Sequence, residues 1–135
     1  MIDYSFIPEN NLRKHRSSFV HDWYLLQMEQ SFDALTAAPG NHILLFENDL
    51  VRVLDTRLPA GEQTPVHEHS LPSASILLSW SDFHRFTPEG TLLFDSSQIP
   101  APDIGSVIWM DSLPKHYAVN TGKTELRTIA VEIKK

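Results

Sequence analysis

The sequence predicts an all-β domain, a sandwich or barrel of short strands, preceded by a partly helical segment. From residue 41 onward the chain carries about eight short runs that either alternate with period two or are continuously apolar. Turn-forming residues separate these runs, as at Pro59-Ala60-Gly61 and Asn120-Thr121-Gly122-Lys123. The chain has 135 residues, the length of one domain. We therefore divide it into an N-terminal extension, residues 1–40, and a β-barrel domain, residues 41–135.

The strands are placed where the runs begin and end. The last run alternates Ile129, Val131 and Ile133 with other residues, which is the side-chain period of a β-strand. Short strands at this spacing favour a sandwich or barrel over a parallel α/β sheet. The predicted strands are residues 42–46, 50–58, 75–79, 82–86, 91–94, 107–110, 117–119 and 126–133.

Residues 18–37 have the periodicity of an amphipathic helix. Large side chains recur at spacings of four, four, four and three residues, and Pro39-Gly40 stops the pattern. A stripe of this kind is typical of packing, and we expect it to cover the outside of the barrel in its own subunit or in a partner's. The stripe consists of Val20, Tyr24, Met28, Phe32 and Leu35.

Composition narrows the class of protein. The formal net charge of −6 and the pI near 5.5 argue against a nucleic-acid-binding surface, which needs clustered lysine and arginine. The chain has no cysteine and therefore no disulfide, thiolate nucleophile or sulfur-ligated metal. Its start lacks the pattern of a signal peptide, and no run approaches the ~18 apolar residues of a membrane span. We expect a cytoplasmic protein that binds neither nucleic acid nor membrane.

Two histidines in the segment 61–69 face the same way if that segment is extended. Side chains at i and i+2 of a strand point to one face, so His67 and His69 project together and Glu68 points away. Neutral imidazole is a common ligand of Zn, Fe, Ni and Cu. The pair is therefore half of a candidate metal site.

A second segment, residues 105–120, contributes a third imidazole. If this segment is also extended, His116, Ala118 and Asn120 share one face. Asn120 then acts either as an outer partner of a ligating histidine or by fixing the turn that follows it.

The other four histidines are interpreted as surface residues or as satisfied core residues. His15 and His21 belong to the N-terminal extension, His42 opens a strand, and His84 lies in the middle of one. His84 shares a strand face with Phe86, which makes it a candidate for lining a pocket.

Together these residues resemble the two sequence motifs of the cupins. In the first motif a glycine is followed, after five residues, by His-X-His, and in the second a glycine precedes a histidine and, after three further residues, an asparagine. The matching residues are Gly61, His67 and His69 in the first segment and Gly105, His116 and Asn120 in the second.

The resemblance extends over residues 42–133, about two-thirds of the chain, whose strand-and-turn pattern is similar to that of small single-domain, RmlC-like cupins. Residues 48–54 and 64–69 are most similar to a subgroup that includes a cupin linked to β-alanine degradation. The resemblance implies a double-stranded β-helix, a jelly-roll barrel with one divalent metal ion in its mouth. It also implies a homodimer, in which the N-terminal segment is the natural part to cross between subunits.

The resemblance assigns the ion to His67, His69 and His116, but the sequence departs from the pattern. The glutamate of the cupin pattern falls at Ser73 or Ala74, and neither side chain can replace a carboxylate ligand. Residues 111–113 also lack the usual Pro-X-Gly. We therefore expect an all-histidine site that leaves more positive charge on the ion, attracts an anion and favours Zn, Fe, Ni or Cu over Mn.

Four further residues are candidates for the surroundings of this ion. Gln63 has the strand parity of the histidine pair and is a candidate fourth ligand, although the intervening proline bends the run. Trp109 is either a pocket wall or a core residue. His84 and Tyr117 are candidates for acid–base chemistry.

The sequence leaves three functions open. The first is a metal-dependent enzyme acting on a small anionic metabolite, by dioxygenase chemistry at iron or by isomerase, decarboxylase or hydrolytic chemistry at zinc or nickel. The second is a non-catalytic module that binds a small molecule or a metal, as a sensor or an accessory protein. The third is a structural cupin without a working site.

Overall fold

The structure, a computed structural model, describes residues 31–135. Residues 32–135 form one compact unit. Among the described residues, no helix has the length and apolar character needed to cross a membrane. The elements are α1 (Ala34–Ala37), β1 (His42–Glu47), β2 (Val51–Leu58), β3 (His67–His69), β4 (Ser73–Ser79), β5 (Phe83–Phe86), β6 (Leu92–Asp95), a 3-10 turn (Ser96–Gln98), β7 (Val107–Met110), β8 (Leu113–Asn120) and β9 (Leu126–Ile133).

The strands form two antiparallel sheets. One sheet has the order β1-β2-β9-β4-β7, and the other has the order β3-β8-β5-β6. Neighbours in a sheet are often distant in sequence, since β2 pairs with β9 from Val51↔Ile133 to Leu58↔Leu126. Residues from both sheets line a cavity of about 430 Å³, so the inner faces of the two sheets oppose each other across it.

The alternation along β9 explains how the five-stranded sheet faces this cavity. Thr128, Ala130 and Glu132, at every second position, line the cavity. β2 and β4 flank β9 and contribute Leu54 and Leu77, both fully buried. Burial of each leucine contributes about 2 kcal/mol to the hydrophobic stabilisation of the fold.

The predicted all-β fold is confirmed. Two strands, Val107–Met110 and Leu126–Ile133, have the bounds that the sequence predicts. The predicted strand at residues 117–119 is part of a longer one, Leu113–Asn120. Its first half was missed because Pro114 disfavours a strand interior.

The predicted helix over residues 18–37 lies mostly outside the described residues. The C-terminal end of the predicted helix is described, and it differs from the prediction: the helix there begins only at Ala34. Asp33 is the N-cap, and its carboxylate accepts a hydrogen bond from the amide of Leu35 at 3.1 Å. Phe32 precedes the cap, and its carbonyl accepts a hydrogen bond from β3 at 2.6 Å. The cap therefore interrupts the periodic stripe.

An ion-pair triad connects β2 and β9. Asp55 is 5% exposed, and its carboxylate accepts hydrogen bonds from Arg57 at 2.9 Å and from Arg127 at 3.0 Å. The hydrogen bonds from Arg127 and Arg57 lower the pKa of Asp55 to about 2, although desolvation opposes this shift. Because the folded pKa lies below the ordinary value of 3.8, the triad stabilises the fold above that pH and loses its effect as the pH falls towards 2.

Asp55→Asn is expected to lower the free energy of unfolding at pH 7 by about 1 to 2 kcal/mol, a range kept low because both arginines are partly exposed. The difference from wild type should shrink as the pH falls from 3.8 towards 2, where wild-type Asp55 also becomes protonated. Denaturant unfolding of both proteins across this pH range measures the effect. Asp49→Asn, at an exposed carboxylate, is the matched control. A difference that stays constant with pH would contradict the role given to the triad.

Candidate metal centre

Four histidine rings meet in the cavity. His42 is the first residue of β1, His67 and His69 are the ends of β3, and His116 lies in β8. The ring centroid of His67 is 4.8 Å from that of His42, 5.0 Å from that of His69 and 4.5 Å from that of His116. One ligand atom from each of His42, His67 and His69 lies within 4.8 Å of the others. This three-histidine cluster could hold a metal ion, and the ring of His116 lies beside it.

A β-bulge brings His116 to the inner face. His67 pairs with His116, but His69 pairs with Leu113, so β8 takes three steps where β3 takes two. Pro114 lies within this irregularity and has no N–H for the ladder. As a result Leu113 and His116 both line the cavity, although an odd number of steps separates them.

The rings of His67 and His116 are held by the same local arrangement. Each follows a proline by two residues, and its Nδ1 lies 2.8 Å from the carbonyl oxygen of Pro65 or 2.7 Å from that of Pro114. A carbonyl can only accept, so Nδ1 donates its proton and Nε2 carries the lone pair of the neutral ring. The repeated Pro-X-His is visible in the sequence and is a signal that links His116 to His67 without any resemblance.

His42 is fixed in the same tautomer. It is 3% exposed, and its Nδ1 donates to the carbonyl oxygen of Ala38 at 3.0 Å. This position corrects the interpretation of His42 as an incidental histidine, since its ring belongs to the cluster. The sequence conceals its role because residues 43–46 are all apolar, so no alternation shows which face of β1 is buried.

The fourth ring, that of His69, faces a carboxylate. Its Nδ1 lies 3.2 Å from Oε2 of Glu132, and Oε1 of Glu132 accepts a hydrogen bond from Nε of Arg52 at 2.7 Å. Arg52 also donates to both carboxylate oxygens of Asp33, at 3.1 and 2.8 Å. A continuous chain of charged groups therefore orients the ring and keeps its proton on Nδ1.

Glu132 brings a carboxylate next to the positions where the cupin pattern has its glutamate. Ser73, at one of those positions, pairs directly with Glu132 across β4 and β9. Burial opposes ionisation of Glu132, but hydrogen bonds from His69 and Arg52 lower its pKa below the ordinary value. The candidate ligand set stays all-histidine, and the negative charge beside it comes from β9, where Glu132 is the hydrogen-bond partner of His69.

Burial keeps three of the rings neutral. Desolvation lowers the pKa of His42 and His67 to about 4 and that of His116 to about 3, although the hydrogen bond to a carbonyl favours the charged form in each. At pH 7 these rings carry no extra proton. Their Nε2 lone pairs can therefore bind an ion without first releasing a proton.

Two residues predicted to lie near the ion are exposed instead. Gln63 forms an isolated bridge to Val119 and does not line the cavity. Trp109 is 57% exposed, and its Nε1 donates to Asp111 at 3.0 Å. Neither the pocket position nor the core position expected for Trp109 is correct, because its even-numbered neighbours in β7 take the inward positions.

His84 and Tyr117 also lie away from the cavity. Nε2 of His84 is 3.2 Å from Oδ1 of Asp95, and its ring packs edge-on against Phe86 with the centroids 5.9 Å apart. Tyr117 stacks on the same phenylalanine at 5.1 Å. His84 lies between Phe83 and Arg85, and Tyr117, beyond the bulge of β8, lies between His116 and Ala118; these neighbours line the cavity, so the side chains of His84 and Tyr117 point away from it. That orientation excludes both residues from acid–base chemistry in the cavity.

Asn120 fixes the turn after β8, the second of the two roles considered for it. It lies four positions after His116, about 13 Å along an extended strand, so it cannot support the His116 ring. Its side chain is buried and hydrogen-bonds to Leu58, Ser81, Gly122 and Thr124.

The fold and the site together define a class: a double-stranded β-helix, the fold that cupins have, with a histidine cluster in its cavity. The chain is similar to a cupin domain from Bordetella pertussis Tohama I, with 23% identity, a TM-score of 0.56, and 70% of this chain and 92% of that chain covered. It is also similar to an RmlC-like cupin family protein with a double-stranded β-helix fold from Methanocaldococcus jannaschii, with 18% identity, a TM-score of 0.49, and 78% and 86% covered.

No protein-family model matches the sequence, and no curated protein matches it. The likeness to the Bordetella domain shows the fold, and the function has to be argued from the site.

Proposed function

We propose that this chain is a metal-binding cupin that acts on a small anionic metabolite. One divalent ion would be held by His67, His69 and His116, and the position of His42 makes it a fourth candidate ligand. The observation that carries this proposal is the shared tautomer of the four rings. Each Nδ1 faces an oxygen acceptor, which leaves each Nε2 free to bind an ion.

The donor set fits a borderline divalent ion. Imidazole nitrogen suits Zn, Fe, Ni and Cu, whereas Mg, Ca and Mn prefer oxygen ligands. Each ring already has the outer hydrogen bond that ligating histidines need for orientation. A bound ion would supply Lewis-acid chemistry or, if it is iron, chemistry with dioxygen.

Charged side chains beside the cluster orient a candidate ligand ring and offset the charge of an ion. Glu132 keeps the proton of His69 on Nδ1, and Arg52 favours the ionised form of Glu132. The net charge of Asp33, Arg52 and Glu132 together is one negative charge beside the cluster, which offsets part of the charge of an ion. His42, His67, His116 and Glu132 are each at most 3% exposed, and this burial strengthens the electrostatic interactions among them.

Metal analysis of the purified protein tests the ion. Wild-type protein, as isolated or after loading with Zn, Fe, Ni or Cu, is expected to hold about one ion per chain, and the His67→Ala/His69→Ala variant is expected to hold none. His84→Ala, which removes a histidine outside the cluster, should load like wild type. Single variants at His42 and His116 then show which rings complete the ligand set. If wild type cannot be loaded, or the double variant loads equally well, the proposal fails.

Turnover separates an enzyme from a binding module. Loaded protein is incubated with a panel of small carboxylic acids, with and without oxygen, and their consumption is measured. β-Alanine belongs in the panel, because residues 48–54 and 64–69 resemble a cupin linked to its degradation.

One observation favours the non-catalytic alternative: the two carboxylates that line the described cavity, Glu132 and Asp111, are both engaged by other side chains. The homodimer stays a prediction, and native mass spectrometry of the same sample measures the oligomeric state that tests it.

A further inference from the structure

Arg85 is the one arginine within residues 31–135 that makes no ion pair. Arg52, Arg57 and Arg127 each bind a carboxylate. Nε of Arg85, in contrast, is buried and has no hydrogen-bond partner. Desolvation lowers its pKa, and no acidic group of the described chain opposes that shift. Because arginine stays protonated in proteins, this side chain places an uncompensated positive charge in the barrel.

The charge lies between the histidines and a group of aromatic residues. Arg85 lines the cavity and pairs with Ala118 of β8 on one side and with Phe94 of β6 on the other. His116 is two residues from Ala118, on the same inner face of β8. The side chain of Ala118 is only a methyl group, so it leaves room between the guanidinium and the histidine cluster.

Aromatic rings flank the guanidinium. Cζ of Arg85 lies 5.6 Å from the centroid of Phe83 and 5.6 Å from that of Phe94, and these rings are 5.4 Å apart. Trp80 continues the aromatic wall, 5.9 Å from Phe83. The aromatic rings stabilise the guanidinium by cation–π contacts with its flat faces. They do not satisfy the N–H donors in the guanidinium plane, as a carboxylate does.

We propose that the cavity binds a monocarboxylic acid with a flat, apolar body, its carboxylate on the guanidinium of Arg85 and its body against Phe83, Phe94 and Trp80. A partly buried cation without a partner is costly, so an anion that pairs with it binds favourably. Guanidinium and carboxylate match in a two-point, bidentate geometry. The cavity of about 430 Å³ has the size of a small-molecule site.

This inference rests on the proposed function, because it takes the histidine-lined cavity as the substrate site, and it names the substrate class and its anchor. The anchor itself is a protein side chain. Binding of the carboxylate can therefore be measured without a metal ion.

Calorimetric titration of metal-free, full-length protein with benzoate is the test. Benzoate should bind wild type, and benzamide, its neutral analogue, should bind at least about tenfold more weakly. Arg85→Met should weaken benzoate binding about 10- to 100-fold, the effect of losing charge-assisted hydrogen bonds, and should abolish the preference over benzamide. Lys115→Met, which removes an exposed positive charge from β8, is the matched control and should bind benzoate like wild type. Acetate that binds as tightly as benzoate would overturn the apolar half of the proposal.

Thermal unfolding shows that a loss of binding is not a loss of folding. Without ligand, Arg85→Met should unfold at a higher temperature than wild type, because it replaces an unpaired, partly buried charge with an apolar side chain. Benzoate should raise the unfolding temperature of wild type and leave that of the variant unchanged. A variant that unfolds at a lower temperature, with wild type unaffected by benzoate, would show a structural arginine and overturn the inference.

The metal content separates this inference from the proposed function. If no ion loads but metal-free protein binds benzoate through Arg85, the metal proposal fails and the ligand assignment stands. If benzoate binds only to loaded protein, and equally well in Arg85→Met, the carboxylate sits on the ion and the assignment to Arg85 is overturned. Absence of benzoate binding in both forms overturns it as well.

Discussion

Asn120→Ala is expected to lower the free energy of unfolding by about 3 kcal/mol. Asn120 is 1% exposed, and its amide is fully used. Nδ2 donates to the carbonyl oxygens of Leu58 and Thr124, each at 2.8 Å, and Oδ1 accepts from the hydroxyl of Ser81 at 2.7 Å and from the amide of Gly122 at 2.9 Å. Alanine leaves these groups without a partner in a buried place, and each unpaired group costs on the order of 1 kcal/mol.

The large effect follows from the place of Asn120 in the fold, because its four bonds connect the end of β2, the connection between β4 and β5, and the turn between β8 and β9. Denaturant unfolding measures the loss. Asn48→Ala is the matched control: Oδ1 of Asn48 accepts two backbone amides, at 2.8 and 2.9 Å, but it is exposed, so water replaces it and less than about 1 kcal/mol is lost.

Gly122→Ala probes the same junction from the other side. A Cβ at Gly122 would overlap the hydroxyl of Ser81, which must then move away from the Asn120 amide. If both variants keep wild-type stability while the Asn48 variant loses it, the junction is not the stabilising element described here.

The strands were predictable where burial of one face makes polar and apolar residues alternate. β9 is placed correctly by that alternation, whereas β7, Val107–Met110, is placed correctly by its continuous run of apolar residues. β8 was placed too short, because Pro114 and Lys115 give its first half the appearance of a turn. The short helix α1 was predicted as the end of a longer one, since the sequence pattern does not show that the Asp33 side chain caps a new helix.

Within the cavity, the sequence could identify neighbours on one strand but not partners from distant strands. His67 and His69 were paired correctly by the two-residue period of β3. His42, Glu132 and Arg85 reach the cavity from β1, β9 and β5, and only the sheet order brings them together. A single acidic or basic residue at an inward position of an alternating strand, such as Glu132 in β9, is nevertheless a signal. It marks a charged group that must find a buried partner.

Glu132→Gln is expected to weaken metal binding by about 10- to 100-fold, the usual cost of losing an outer partner of a ligating histidine. The carboxylate of Glu132 accepts from Arg52 on Oε1 and from His69 on Oε2. A glutamine has one acceptor, and the charged Arg52 competes for it more strongly. The NH₂ group then faces Nδ1 of His69 and drives its proton to Nε2, where it blocks the lone pair that would bind an ion. Titration of chelator-treated protein with Zn measures the affinity.

The tautomer of His69 gives a readout that needs no metal. Nitrogen-correlated NMR of the imidazole rings distinguishes a proton on Nδ1 from one on Nε2, and only the His69 ring should change in Glu132→Gln, while the rings of His67 and His116 keep their proline carbonyl partners. Glu47→Gln, which removes an exposed carboxylate paired with Lys134, is the matched control and should alter neither the tautomers nor the affinity for Zn. An unchanged His69 tautomer together with unchanged Zn binding would mean that Glu132 only stabilises Arg52. A changed tautomer with unchanged Zn binding would instead remove His69 from the ligand set and leave His42, His67 and His116 to hold the ion.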